Sequence, residues 1–240
     1  MESSYNQVKN RIISMIRDGN LPDNRLYSEG ELVDMLGASR ATIREVLRSL
    51  EIEGIITKRH GVGTFVHPQV LNMPLRIDQA VDFSRMIEDM GYEFGMISYG
   101  EMKWVELKPD DLETYIRVRI GGINEKCLNF SRIYTAGGTP AALCSLYFPE
   151  KRLTKLPSGD VEYSNVDDFC KKYFSSKPDH SMIFLSAANA DETISKALKI
   201  PVNTAVQVWD ELLYDYKGEL LGYSRISFTS VIPAFSMLRR

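Results

Sequence analysis

The chain predicts an α+β fold in two parts: a small helical unit closed by a short hairpin, then a larger unit of antiparallel hairpins with helices between them. Three observations carry that prediction. Ile43, Val46, Leu47 and Leu50 recur at helical spacing, and the strand-like runs Ile55 to Arg59 and Thr64 to Val66 follow at once, joined through His60-Gly61-Val62-Gly63. Both periodicities lapse between His67-Pro68 and Met73-Pro74, which marks a boundary. Beyond it, long apolar runs reverse through Gly137-Gly138-Thr139-Pro140 and Lys217-Gly218, so neighbouring strands are antiparallel and the sheet is not a parallel doubly wound one.

Each element has its own local reason. Ser28-Glu29-Gly30-Glu31 has capping-box spacing, Leu32, Val33 and Leu36 give the helix that follows its apolar side, and Gly37 turns the chain. Ser39 is a favoured N-cap for the next helix, which turns Arg40, Thr42, Arg44 and Arg48 away from its apolar stripe and stops at Gly54. Glycines at the hairpin tip let the backbone lie close to a surface such as a phosphate chain. After the boundary the pattern predicts a helix around Asp78 to Met90, a strand from Met96 to Leu107, a helix over Pro109 to Ile116 and a strand pair, Leu128 to Ala136 with Ala141 to Phe148. A helix near Asn165 to Tyr173, a strand near Ile183 to Ala188 and a helix from Asp191 to Leu198 lead to a last hairpin, Ala205 to Tyr216 with Leu220 to Val231.

Composition limits the function classes. The 240 residues suffice for two domains, and no stretch has the length of a membrane span. The N-terminus shows no basic segment followed by an apolar run, so no signal peptide is indicated and a cytoplasmic location is expected. Cys127, Cys144 and Cys170 are odd in number and lack metal-like pairing, which suits reduced thiols and no cofactor. Net charge is −3, and residues 1 to 68 are balanced, with nine basic and nine acidic side chains. The positive charge is local, gathered in Arg40, Arg44, Arg48, Lys58 and Arg59. A neutral unit with one basic face makes few phosphate contacts, so two copies reading two half-sites of double-stranded DNA, a homodimer on a palindromic operator, are expected.

Residues 5 to 67 resemble the winged helix-turn-helix of the GntR family of bacterial transcription regulators. The matching blocks are Ser28-Glu29-Gly30-Glu31-Leu32, Ala38 through Leu47, Leu50-Glu51-Ile52-Glu53-Gly54, and Gly61-Val62-Gly63-Thr64-Phe65-Val66. The resemblance implies DNA contacts from Ser39, Arg40, Thr42 and Arg44, with Arg48, Lys58, Arg59, His60, Gly61, Gly63 and Thr64 adding contacts from the recognition helix and wing. Gly30 stands where the family usually has arginine, and Tyr27 where it has proline. Most of residues 74 to 235 resemble the UTRA effector domain of the HutC subfamily, an antiparallel-sheet α+β domain similar to chorismate lyase. Its markers are Phe83-Ser84, Arg132-Ile133-Tyr134, Gly138-Thr139-Pro140, Tyr147-Phe148-Pro149, Ser164, Tyr214 to Gly218 and Gly222-Tyr223-Ser224. The domains expected are therefore 1–68 for DNA, 69–75 as a linker and 76–240 for effector binding and dimerisation.

That second resemblance implies a small-molecule effector, often a phosphorylated sugar or another polar metabolite, held by Phe83, Ser84, Arg132, Tyr134, Cys144, Ser164, Tyr223 and Phe228. Arg132 on a core strand is costly to bury without an anion, so a phosphate or an organic acid suits it. Tyr134 replaces a second arginine of the sugar-phosphate members, and Cys144, Gly222 and Phe228 replace their polar handles, which points away from an amino-sugar phosphate. The function expected is an effector-controlled DNA-binding transcription regulator, a repressor by family habit. Two rivals stand beside it. A regulator answering a protein partner predicts a filled second domain with Arg132 ion-paired inside; a metabolite sensor predicts a cavity with Arg132 at its wall. An enzyme on the lyase-like domain has thin support, because His60, His67 and His180 sit in no nucleophile or metal motif.

Overall fold

The computed structural model describes residues 4–79, 82–108, 112, 113, 116, 125–157 and 166–239. The chain divides into two compact units, Met1–Val81 with Ala234–Arg240, and Asp82–Pro233.

In the first unit three helices, α1 (Ser4–Arg17), α2 (Glu29–Leu36) and α3 (Arg40–Ile52), enclose one core. Val8, Ile12 and Ile16 of α1 and Ile43, Val46, Leu47 and Leu50 of α3 are buried in it. The capping box at Ser28 is complete: the Glu31 N–H donates to Ser28 Oγ at 3.3 Å and the Ser28 N–H to Glu31 Oε2 at 2.7 Å. Gly37, at φ +63°, makes the left-handed turn that aims α3 away from α2. Strands β1 (Arg25–Leu26), β2 (Ile56–Arg59) and β3 (Gly63–Val66) form a three-stranded antiparallel sheet in the order β1-β3-β2, and β2 with β3 is the expected wing.

This unit runs past the boundary expected at 68. The turn of helix α4 (Pro68–Leu71) buries Val70 in the same core, and Leu238 packs against it from the far end of the chain. Ser236 pairs in parallel with the segment around Arg76: its N–H donates to Leu75 O at 3.0 Å, and the Ile77 N–H donates to its carbonyl at 2.9 Å. Ser236 Oγ also donates to Pro74 O. Arg76 locks this ribbon to α3. Its Nη1 donates to the Glu53 carbonyl at 2.7 Å, Nε donates to Asp78 Oδ1 at 3.1 Å, and Nη2 pairs with Asp78 Oδ2. Apolar side chains at 70 and 238 have a core to enter, and that draws both segments into the first unit.

The second unit is a six-stranded antiparallel sheet. Its strands are β4 (Phe94–Leu107), β5 (Glu125–Ala136), β6 (Thr139–Pro149), β7 (His180–Asn189), β8 (Ala205–Tyr214) and β9 (Leu220–Phe228), in the order β4-β5-β6-β9-β8-β7. Helices α5 (Phe83–Asp89) and α6 (Val166–Tyr173) set Phe83 and Phe169 against one face, in ring contact with Tyr134, Trp209, Phe228, Phe130 and Phe148. Helix α7 (Glu192–Leu198) covers the other face, where Ala197 and Leu198 meet Ile133 and Leu143. The helix expected from Asp78 starts only at Phe83, because Asp82 is extended and caps it. The helix expected over Pro109 to Ile116 falls mostly outside the described residues.

Candidate nucleic-acid interface and ligand site

The start of α3 presents a hydroxyl pair and a fan of cations. Ser39 caps the helix by accepting from the Thr42 N–H at 3.1 Å, and the two hydroxyls are 2.9 Å apart. Arg40, Arg44 and Arg48 are exposed on the face opposite the buried stripe, as the spacing required. Arg59, His60 and Gly61 are exposed at the wing, while Lys58, Gly63 and Thr64 are partly buried. Both tip glycines are needed by the backbone. Gly61 has φ +73° and Gly63 φ +139°, and a Cβ on Gly63 would meet Arg25 Nε at 2.7 Å.

Two residues not singled out for binding join this surface. Glu29 on α2 accepts from Arg44 Nε at 2.8 Å and lies 3.5 Å from Lys58 Nζ, so one carboxylate bridges the helix and the wing. The hydrogen-bonded Arg44 guanidinium holds its carboxyl below the usual range, with Lys58 adding to the effect. Arg25 on β1 lies against Gly63. Glu29 was visible in the sequence only as part of a helix cap, and nothing local marked Arg25.

In the second unit the sheet register sorts the expected effector residues. Ser98 on β4, Arg132 on β5, Cys144 on β6, Ile226 on β9 and Trp209 on β8 form one row across a single face. Tyr134 and Phe228 share that face, and Phe83 stacks on them with centroids 5.7 Å away in each case. Arg132 is buried; its Nη1 donates to Ser98 Oγ at 2.8 Å, and its guanidinium lies 5.5 Å from the Phe130 ring centre. Burial pushes the Cys144 thiol up to about 12, opposed by a hydrogen bond with Tyr134.

Beside Arg132 lies a cleft of about 430 Å³ whose walls include Ser98, Gly100, Trp104, Phe130 and Leu156. It opens where β4 slips register between Tyr99 and Lys103, at Gly100 with φ +71°.

Among the described residues expected to hold the effector, Arg132 alone is in the wall of this cleft; Phe83, Tyr134, Cys144 and Phe228 lie elsewhere on its face, and two more are not brought to that face. Tyr223 is on the opposite face, because it pairs with Tyr147 and Leu212, an odd number of positions from the Arg132 row, and its hydroxyl donates to Asp210 at 2.5 Å. Ser84 is at the start of α5, yet its N–H already donates to Asp82 Oδ1 at 3.0 Å, so an acid occupies the helix end expected to favour an anion. Ser164 lies outside the described residues.

Residues 4–66 match the family of bacterial regulatory proteins, gntR family, and residues 121–230 match the UTRA domain. Over 63 residues the chain is 48% identical to the histidine utilization repressor of Pseudomonas aeruginosa, a match covering 26% of this chain and 25% of that protein. The chain thus spans about a quarter of the length of that relative. The HTH-type transcriptional repressor NagR of Bacillus subtilis is 27% identical over 170 residues, 70% of this chain and 67% of that one. The crystal structure of possible transcriptional regulator YydK from Bacillus subtilis superposes with a TM-score of 0.74 over all of both chains at 18% identity, a likeness of fold alone. One family match thus falls on the unit that carries the basic helix and the other on the unit that carries the Arg132 face, so the chain combines a domain of the gntR family of bacterial regulatory proteins, residues 4–66, with a UTRA domain, residues 121–230.

Proposed function

We propose that this protein is a sequence-specific DNA-binding transcription regulator, a repressor, whose hold on its operator is set by a small effector bound in the second unit. The observation that carries the reading is the start of α3, where Ser39 caps the helix by accepting from the Thr42 N–H while Arg40, Arg44 and Arg48 stay exposed. A helix so capped and charged suits the major groove, with its first residues at base edges and the wing along the phosphates. Both relatives described above are repressors, which supports the sign of regulation. The small basic surface supports a homodimer on a palindromic site.

The cleft beside Arg132 supports a metabolite sensor over a regulator whose second unit is filled. An anionic group, a phosphate or a carboxylate, is the complement of its buried guanidinium. Burial raises the thiol of Cys144, which argues against its use as a nucleophile. No helix among the described residues is long and apolar enough to cross a membrane, which fits the cytoplasmic location proposed here.

The test begins with selection of bound sequences from a random duplex library. The expected product is a two-fold symmetric site, bound by Arg44→Ala about 1 to 3 kcal/mol more weakly than by the parent. Equal binding by the two proteins refutes the placement of the recognition helix. The effector arm uses Arg132→Ala, which should keep operator affinity and lose release by any metabolite that releases the parent.

A further inference from the structure

The small sheet of the first unit sorts the cations of the wing onto two faces. Leu26, Ile56 and Val66 point inward and are buried, and the register puts Lys58 on that same side, where Glu29 lies 3.5 Å from its Nζ. The row Arg25–Phe65–Thr57 and the row Gly63–Arg59 share the outer face. Arg25 and Arg59 are exposed there, and among the described residues neither is in an ion pair.

Arg25 is aimed toward the tip of the wing. Its ladder partner is Phe65, yet its guanidinium lies over Gly63, two residues nearer the turn. A Cβ on Gly63 would meet Nε at 2.7 Å, Nη2 at 3.0 Å and Cζ at 3.1 Å. Three atoms of the planar fork at nearly one distance mean that the plane lies across the glycine, in room that only a residue without a side chain leaves. No acid claims this fork. Glu31 feels the charge of Arg25, but its Oε2 accepts from the Ser28 N–H at 2.7 Å and it forms no ion pair with the arginine. Arg44 differs, since its Nε already donates to Glu29 at 2.8 Å. A guanidinium seated on the backbone, open to solvent and unopposed by a carboxylate suits a phosphate, whose oxygens match the two N–H groups of the fork.

We propose that Arg25 is a further DNA contact of the wing, holding the phosphate backbone together with Arg59 across Gly63. This rests on the reading of the first unit as DNA-binding and extends its contact surface from the hairpin to β1, the strand that leads into α2. Arg25 and Arg59 stand on the two strands that flank β3, two strand spacings or about 10 Å apart at the backbone. Two long side chains directed to the row of Gly63 bridge that distance and can engage one stretch of phosphates. The contact carries no base information, so it should strengthen every duplex alike.

Salt dependence tests it on the full-length protein, by fluorescence anisotropy with the selected operator and with a scrambled duplex of equal length. Arg25→Gln, which keeps a planar polar group and loses the charge, should weaken both duplexes by a similar factor and make the slope of log K against log salt shallower by about 0.9, the value of one phosphate contact. The advantage of the parent should accordingly shrink roughly 3.5-fold between about 50 and 200 mM salt. Arg25→Lys should keep the parental slope. The slope counts released counterions, so a folding defect that only lowers the active fraction does not move it. Parental affinity and slope in Arg25→Gln on both duplexes, with Arg44→Ala still losing the operator, overturns the role of Arg25 and leaves the DNA-binding reading standing. Weakening on the operator alone, at unchanged slope, overturns the phosphate contact as well. Binding of neither duplex by the parent removes the DNA-binding reading and the inference with it.

Discussion

Replacing Arg76 by alanine removes the tie between the end of α3 and the ribbon formed by residues 74–77 and Ser236. The Arg76 side chain is 8% exposed and makes three hydrogen bonds, one to the Glu53 carbonyl and two to Asp78. A hydrogen bond to a charged group contributes about 1.5 to 3 kcal/mol. Loss of one member of a fully buried pair costs about 3 to 5 kcal/mol, but Asp78 is 24% exposed and rehydrates, so the lower part of the range applies. We expect Arg76→Ala to destabilise the first unit by about 2 to 3 kcal/mol, enough to lower its melting temperature by roughly 10 to 20 °C for a domain of this size.

The chain provides its own reporters for that measurement. Trp104 and Trp209, its two tryptophans, are both in the second unit, so tryptophan emission follows that unit, and a far-ultraviolet dichroism transition that emission does not share belongs to the first. The pH dependence has a fixed sign. Arg76 holds the Asp78 carboxyl below its ordinary value, so the contribution of the pair is complete above about pH 4 and fades as pH falls through the lowered value. Parent and variant should therefore converge in acid, apart from the bond to Glu53. A loss below about 0.5 kcal/mol, with no convergence, is the behaviour of an exposed ion pair and refutes the reasoning.

Gly63→Ala should cost about 1 to 3 kcal/mol in urea titration, because φ +139° is unsuited to any Cβ and Arg25 must also move. Glu29→Gln releases Arg44 and Lys58 from their shared carboxylate; fluorescence anisotropy on a non-operator duplex should show roughly two- to fivefold tighter binding, and unchanged affinity would mean that Glu29 does not restrain these cations. Iodoacetamide at pH 8 should leave the native protein unmodified, since burial raises Cys127 to about 11 and Cys144 and Cys170 to about 12, and intact mass should show three additions only after unfolding.

Local chemistry was legible in the sequence wherever a residue acts through its immediate neighbours. The Ser28 box, the Ser39 cap, the buried stripe of α3 and the hairpin glycines all work within a few positions of themselves, and each stands as the spacing implied. Helix α1 could have been read from Val8, Ile12 and Ile16, which share its buried side. What the sequence could not show depends on pairing between distant strands. Tyr223 was set with Arg132 because motif order carries no facing, and only the register through Tyr147 turns it to the other side. Arg76 meets Ser236 from far along the chain, with the whole second unit between them in sequence, a closure that no periodicity announces.

That closure has a topological consequence. Because Arg76 and Ser236 are ladder partners, the segment that precedes the second unit in the chain and the segment that follows it run side by side within the first, about one strand spacing or 5 Å apart. The second unit is thus inserted within the first along the chain, not appended to it as a tail. A segment whose ends meet so closely can be exchanged for any foreign domain with equally close termini, and new chain ends opened at the Lys217-Gly218 turn would leave the first unit continuous through its own core.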